Sequence, residues 1–399
     1  AATPEVTVLV TLYNYADAGY SAFKTSTESR RAMVYVGAND GMLHAFDATT
    51  GEEVWAYIPT MVIPKLYRLA DKNYGNDHQF YVDGSPVSGD VPIGGVWKTI
   101  IVGGLGAGGR GYYAMDVTNP STPVALWEFQ DNNLGYTLGK PEITKLKDGT
   151  WVVIFASGYN NVSPGDGHGR LYVLNAATGA LIRTIDTGVG DTTTPSGLAQ
   201  IRAWVDRTEI NNTSLRVYGG DTLGYVWRFD TNNDIGAGGY DAQLLATLRG
   251  GAGNAQPVTA RPELGLVNGN AVVYVGTGRY LGVTDLTDSS QQSLYAIKDT
   301  LGSSSLGNPR TNNFIRQTLT GGTCPADATV CDPAQTVRFG SANAVDFATN
   351  NGWYIDLPVT RERANTDPQL ALGTLVYTTN IIDPDACSVG GTSYINFFD

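Results

Sequence analysis

The sequence predicts an all-β fold, a modified seven-bladed β-propeller with quinoprotein-like repeats and inserted loops, and three observations predict it. Glycine (49 of 399 residues) and tyrosine (22) are abundant while only 16% of residues are charged, a composition of many short strands joined by tight turns. Short apolar runs rich in Val, Ile, Tyr and Trp recur along the whole chain, each pair separated by an Asn, Asp or Gly turn. Only one stretch, Tyr57 to Lys72, shows even weak helical spacing.

In chain order, the apolar strand Val6 to Val10 comes first and is expected to close the ring by pairing into the last blade, since closure protects sheet edges. The clearest repeat follows, from Met33 to Trp55: strand, Asn39-Asp40-Gly41 turn, strand, Asp47-Ala-Thr-Thr-Gly51 turn, strand. Asn, Asp and Gly tolerate the positive φ that tight reversals need, so each cluster reads as a turn. Tyr57 to Lys72 carries Met61, Val62, Ile63, Leu66, Tyr67 and Leu69 and is expected to pack between blades. The repeat returns at Ile100–Gly103 with Gly111–Asp116 and Val124–Trp127, then at Trp151–Phe155 with Leu171–Gly179. Further copies lie at Arg216–Asp221 with Gly224–Asp230, at Val272–Gly276 with Ser293–Ile297, at Gly352–Leu357, and at Leu375–Thr379 with Ser393–Phe397. Seven units give a count of seven blades, with six or eight also open. The polar stretches Thr284 to Ser290, Thr300 to Asn313 and Gly321 to Gln335 read as loops on one rim. The expected organisation is a single domain over 1–399, with 1–30 as N-terminal strand and lead-in and 31–399 as blades, preceded by an N-terminal region that this chain does not include.

The balance of 26 basic and 38 acidic side chains gives a net charge of -12, which repels nucleic acid and anionic lipid surfaces. No run reaches the roughly 18 apolar residues of a membrane helix, and Ala1 to Val10 lacks the features of a signal peptide, so the chain reads as a mature or excised piece of a secreted protein. Cys324 and Cys331 sit in one polar segment where a loop-stapling disulfide suits an oxidising compartment; the alternative is two separate surface thiols. Cys387 is left over, either buried as a small apolar residue or paired outside the chain.

Catalytic chemistry finds no constellation in the sequence. His44, His78 and His168 are the three histidines, and none has metal-ligand spacing; no Gly-x-Ser-x-Gly elbow occurs. The run Gly103 to Gly111 contains Gly-x-Gly-x-x-Gly but leads into a strand-like Tyr112-Tyr-Ala-Met, so it reads as a close-packed loop and not as a phosphate cradle. Calcium is the one cofactor the residues suggest: Asp230, Asn232, Asp234 and Asp241 place oxygens at positions 1, 3, 5 and 12 of a loop, although Ile235 stands where an EF-hand needs glycine. Pro164-Gly-Asp166-Gly-His168 is a weaker candidate whose alternative is a simple turn.

Several phrases then converge on a family. Val34 to Asp47, Tyr81-Val-Asp-Gly-Ser-Pro86, Val102 to Tyr112, Leu134 to Gly139, Gly158-Tyr-Asn160, Gly276-Thr-Gly-Arg-Tyr280 and Gly390-Gly-Thr-Ser393 resemble, in order, the C-terminal domain of the PilY/PilC proteins of type IV pili. That resemblance implies a modified propeller at the bacterial cell surface, at a pilus tip or the outer membrane after export through the periplasm. It implies roles in pilus assembly, retraction control and adhesion, with minor pilins and a host or abiotic surface as partners. It also implies a calcium loop just before the strand at Arg216; here that stretch, Asp206 to Leu215, keeps Asp206, has Thr208 as a weaker match, and puts Ile210 where a carboxylate belongs. The Asp-x-x-Thr-Gly-x-x-x-Trp turn also resembles the repeat of quinoprotein dehydrogenases, which would make the chain an oxidoreductase, and a third class is the propeller scaffold of outer-membrane assembly. Quinoproteins are longer, repeat more regularly and often carry adjacent cysteines absent here, so no quinone is expected and the reading is of binding without catalysis.

Overall fold

The computed structural model describes residues 7–8, 13–236, 238–328, 331–383 and 391–398. Cys387 lies outside them. The chain divides into two compact units, Ala1–Val217 with Phe229–Ala242, and Tyr218–Arg228 with Gln243–Asp399.

The architecture is a series of small antiparallel sheets built from consecutive strands. The first contains Thr7–Val8, Met33–Gly37, Leu43–Asp47 and Glu53–Tyr57 in that order. The second contains Val87–Ile93, Val96–Gly104, Tyr112–Asp116 and Val124–Phe129, and the third Glu142–Lys145, Trp151–Ala156, Arg170–Asn175 and Leu181–Asp186. A fourth contains Ile201–Val205, Ser214–Gly220, Tyr225–Phe229 and Ala242–Thr247. The composition explains the burial gradient across a sheet. Trp151-Val-Val-Ile-Phe-Ala156 is buried along its whole length because both of its faces are covered, whereas the outer strand Leu181–Asp186 is mostly exposed.

The fifth sheet runs Glu263–Val267, Asn270–Gly276, Ser293–Asp299 and Gly352–Asp356, with Phe314–Gln317 laid parallel to the last. In the sixth, Thr374–Ile382 pairs with Gly391–Phe398, Glu362–Arg363 and Gln369–Ala371. Leu319–Thr323 and Thr336–Gly340 form a separate two-stranded ribbon. Its tip is cross-linked by Cys324 and Cys331, whose Cα atoms are 6.0 Å apart, and the Cys324 amide donates to Gln335 O at 2.8 Å. The ribbon is also anchored outside itself, with Leu319 packed on the core of the second unit and Arg338 paired with buried Glu362.

Two expectations need correction. Seven repeats yield six sheets of four or five strands plus the ribbon among the described residues, because Gly352–Leu357 does not start a blade: its strand pairs with Ser293–Asp299 and completes the fifth sheet. A strand motif cannot say whether it begins a new sheet or finishes an older one, and here an insertion of about fifty residues separates the strand from its partners. The N-terminal strand does not pair into the last sheet. Thr7 and Val8 face Tyr35 and Val34 of the first sheet, covering an edge that the three-stranded Met33 to Trp55 repeat leaves open.

The Asp-x-x-Thr-Gly phrase proves to be a self-capped turn that receives a neighbour. Asp47 Oδ1 accepts the amides of Thr49 and Thr50 at 2.7 and 2.8 Å, Thr50 Oγ1 accepts Glu52 N, and Gly51 N donates to Asp47 O at 2.8 Å with Gly51 at φ 75°. Arg31 beside it and the two amides hold the Asp47 carboxyl down to about 2. Asn175 repeats the arrangement with Ala177 and Thr178, ending on Gly179 at φ 68°. Each tryptophan that closes a repeat docks on the turn of the following sheet. Trp55 Nε1 donates to Pro120 O at 2.8 Å and Trp127 Nε1 to Ala176 O at 2.9 Å. Where the third sheet has Arg183 instead, its guanidinium lies 3.2 Å over the Tyr240 ring.

Each unit has its own core. In the first, Tyr15, Tyr20, Trp97 and Trp151 form a buried aromatic cluster, with Tyr20 and Trp151 packed edge-on to Trp97 at centroid distances of 4.8 and 5.6 Å. A short helix, α1 (Tyr20–Thr27), stands on this cluster. Sequence periodicity gives no sign of it, since Ser and Thr fill half of its eight positions; tertiary anchors hold it, Tyr20 OH donating to buried Asp90 at 2.7 Å and Trp97 Nε1 to Ala18 O at 2.9 Å. In the second unit, the fully buried pair Arg228 and Asp299 meet at 2.7 Å, and Tyr218 OH donates to the same carboxylate at 2.6 Å. Complete pairing is what makes a charge tolerable at that depth.

The docked turn makes a differential prediction. Gly51→Ala meets nothing within 4 Å, so it costs only the left-handed backbone penalty, about 1–2 kcal/mol. A Cβ on Gly179 would fall 2.6 Å from the Trp127 ring, so Gly179→Ala adds overpacking and costs about 2–4 kcal/mol. Urea denaturation of the two variants is expected to rank Gly179→Ala clearly below Gly51→Ala.

Candidate functional site

Four of the phrases that carried the family resemblance, Tyr81 to Pro86, Val102 to Tyr112, Leu134 to Gly139 and Gly158 to Asn160, meet in one belt in the first unit, whereas Gly276 to Tyr280 lies in the second unit. Backbones approach there too closely for side chains: a Cβ on Gly108 would lie 1.8 Å from Tyr81 O, and one on Gly139 would lie 1.9 Å from Ala199 O. The loops interlock by backbone hydrogen bonds. Asp83 N donates to Leu105 O at 3.1 Å, Gly135 N to Ser157 O at 2.7 Å, and Gly158 N to Leu198 O at 2.7 Å, while Tyr136 and Tyr159 exchange both of theirs. The Gly103 to Gly111 run leaves little for a phosphate. Leu105 N donates to Gly111 O, Gly106 N to Thr137 Oγ1 and Gly108 N to Leu105 O, while Ala107 N points at the Asp83 carboxylate, which burial pushes above its ordinary range.

On the outside of this belt, Arg110 is the organising side chain. Its guanidinium donates to the carbonyls of Pro164, Asn160 and Val162, each at 2.9 Å, and lies over the Tyr136 ring at 5.9 Å. Tyr136 and Leu138 remain more than a third exposed. Lys65 ties the adjoining surface, donating to Phe80 O at 3.0 Å and also to Gly108 O. Lys65 belongs to the 3-10 helix Thr60–Ala70, whose first amides and the Thr60 hydroxyl bind the Glu128 carboxylate. Met61, Val62, Leu66 and Leu69 pack inward as expected, but Ile63 and Tyr67, four residues apart, fall on the outer side, and Tyr67 is 72% exposed. Sequence reasoning quoted Arg110 and Tyr136 only as parts of family phrases; what marked them was a large side chain inside an otherwise small-residue loop.

The histidines are held in structural contacts. His44 Nε2 lies 2.8 Å from Asp40 and Nδ1 lies 2.9 Å from Glu53, and His168 Nδ1 lies 3.2 Å from Asp186. Burial opposes the charge on His44, yet the two carboxylates prevail and raise its pKa above 6.5.

The calcium candidates can be tested against their contacts. Asp230 is buried, with Oδ1 accepting Asn232 N and Oδ2 accepting Ile235 N, both at 3.0 Å. Asn232 Oδ1 accepts Lys147 N at 2.9 Å and its Nδ2 donates to Ser214 O, while Asp234 pairs with the Lys147 ammonium. Asp241 O accepts Asp230 N at 3.0 Å. A cation taking Asp230, Asn232 and Asp234 as ligands would have to displace the Lys147 contacts. Asp166 is likewise engaged by both guanidinium nitrogens of Arg170, which holds its carboxyl well below the usual range. At Asp206 to Leu215, Arg207 O accepts the amides of Ile210, Asn211 and Asn212, and Glu209 O and Ile210 O accept Asn14 N and Ala16 N. Those backbone carbonyls already accept protein N–H donors. Among the described residues no cluster of three or more His, Cys, Asp or Glu is arranged to hold a metal.

Comparison with known proteins gives concordant results. Residues 5–324 match the family described as the PilY1 beta-propeller domain. The type IV pilus biogenesis factor PilY1 of Pseudomonas aeruginosa PAO1 is 35% identical over 419 residues, covering 94% of this chain and 35% of that protein. A PilY1 homolog of Xylella fastidiosa is 35% identical over 405 residues, covering 97% of this chain and 30% of its own length. This chain thus spans about a third of the length of the curated relatives it matches. The crystal structure of the P. aeruginosa PilY1 C-terminal domain is similar at a TM-score of 0.76 and 32% identity, covering 94% of this chain and 80% of that one.

His44 supplies a pH prediction. Because its folded pKa lies above the unfolded 6.5, its contribution is complete below about pH 6.5 and is lost as pH rises through the raised value. His44→Gln is expected to lower the melting temperature more at about pH 6 than at about pH 9. An equal loss at both would remove the charge-pair account.

Proposed function

The chain belongs to the PilY1 β-propeller family, and we propose that it acts in type IV pilus biogenesis as a binding domain at the bacterial cell surface, associated with the pilus tip. In this reading it supports pilus assembly, retraction control and adhesion by holding minor pilins, and it carries out no reaction of its own. The observation that carries the binding role is the Arg110 and Tyr136 rim: its loops are locked by glycine contacts and backbone hydrogen bonds, so the exposed side chains are presented in a fixed array at little ordering cost. The relatives' printed role in type IV pilus biogenesis supports the partner class. Turns of the quinoprotein type serve here to dock tryptophan, as Trp127 on Gly179 illustrates, and so lend the oxidoreductase reading no separate support.

The test is titration calorimetry of this domain against each purified minor pilin. Binding is expected, with Tyr136→Ala weakening it about tenfold or more while the melting temperature stays within error. Failure of every minor pilin to bind would overturn the partner class; binding undisturbed by Tyr136→Ala and by Tyr67→Ala would move the surface away from this rim.

A further inference from the structure

Three stretches remote in sequence meet around Asn212. This residue is 94% buried and adopts φ 47°, a left-handed conformation that Asn accepts more readily than most, and its amide NH2 and backbone carbonyl are both engaged. Nδ2 donates to Tyr15 OH and to Ile143 O, both at 3.1 Å. Its carbonyl accepts Lys145 N at 2.9 Å and Thr144 Oγ1 at 2.8 Å, and Lys145 and Thr213 form a parallel bridge. The same loop grips the N-terminal segment through backbone: Asn14 N donates to Glu209 O at 2.6 Å and Ala16 N to Ile210 O at 2.9 Å. Lys145 Nζ completes the contact by pairing with Asp17 at 2.7 Å.

We infer that residues 207–213 form a cation-independent clasp, in which hydrogen bonds centred on Asn212 hold segment 13–17 against the third sheet without a divalent ion. The loop would be held by a metal only if its oxygens faced a common centre. Instead the carbonyls of Arg207, Glu209, Ile210 and Asn212 each receive protein N–H or O–H donors, and Asp206 is exposed. The clasp also explains the aromatic core's first member. Tyr15 is buried against Tyr20 and Trp151, and its hydroxyl needs a partner at that depth, which Asn212 supplies.

Native-state hydrogen exchange of the chain decides the matter by following the Asn14 and Ala16 amides. Their protection is expected to be equal in millimolar calcium and in chelator, and to be unchanged in Asp206→Ala and Glu209→Ala. Asn212→Ala is expected to speed their exchange about tenfold or more, leaving the amides of Val272 to Val275 in the second unit unaffected. If Asn212→Ala fails to fold, Asn212→Asp, which keeps the shape and removes the donors, provides the same readout. Protection that appears only with calcium and disappears in Asp206→Ala would overturn the clasp, as would exchange indifferent to both Asn212 substitutions.

Discussion

Trp127 rests on Gly179 with its indole N–H on Ala176 O, and that contact states the constraint on which the first unit depends: each sheet must present a turn able to receive the preceding one. The turn achieves this by satisfying itself. Asn175 or Asp47 accepts the amides that follow it, threonine accepts the amide beyond, and glycine reverses the chain in a conformation other residues resist. A turn with its polar groups already paired can be covered by a large apolar ring without a desolvation penalty. Where the tryptophan is missing, Arg183 stacks on Tyr240 and keeps the contact through different chemistry, which is why the repeat becomes hard to read beyond that point.

The same economy shapes the glycine loops. At Gly108 and Gly139 the backbones of different sheets come so close that only hydrogen fits, and the amides a phosphate would need are already directed at neighbouring carbonyls or at Asp83. Rigidity follows from this close approach. It leaves Arg110, Tyr136 and Leu138 as partly exposed groups on closely packed loops.

Paired carboxylates, buried or exposed, follow a consistent rule. Arg228 with Asp299, Arg170 with Asp166 and Lys147 with Asp234 each use a carboxylate that a sequence scan would offer to a cation. Oxygen spacing alone therefore says little about a cation, since Asp230, Asn232 and Asp234 have the right chemistry but face amides and a lysine. The difference lies in direction and not in composition, because a turn-capping carboxylate points back at its own backbone.

What the sequence by itself determined is local: strands from runs such as Trp151 to Ala156, reversals from Asn39-Asp40-Gly41, and the family from phrases long enough to be specific. These signals come from near neighbours, because pleat alternation and turn conformation are decided within a few residues. Only the tertiary structure decided that Gly352–Asp356 completes an earlier sheet, that Thr7 and Val8 join the first sheet, and that α1 forms on the Tyr20 and Trp97 cluster. It also decided which oxygens were free and that Asn212 joins residues 15, 143 and 145. Those outcomes depend on which distant edge or donor is left unpaired once the sheets have formed, and a buried polar group or open edge finds its partner in space and not along the chain.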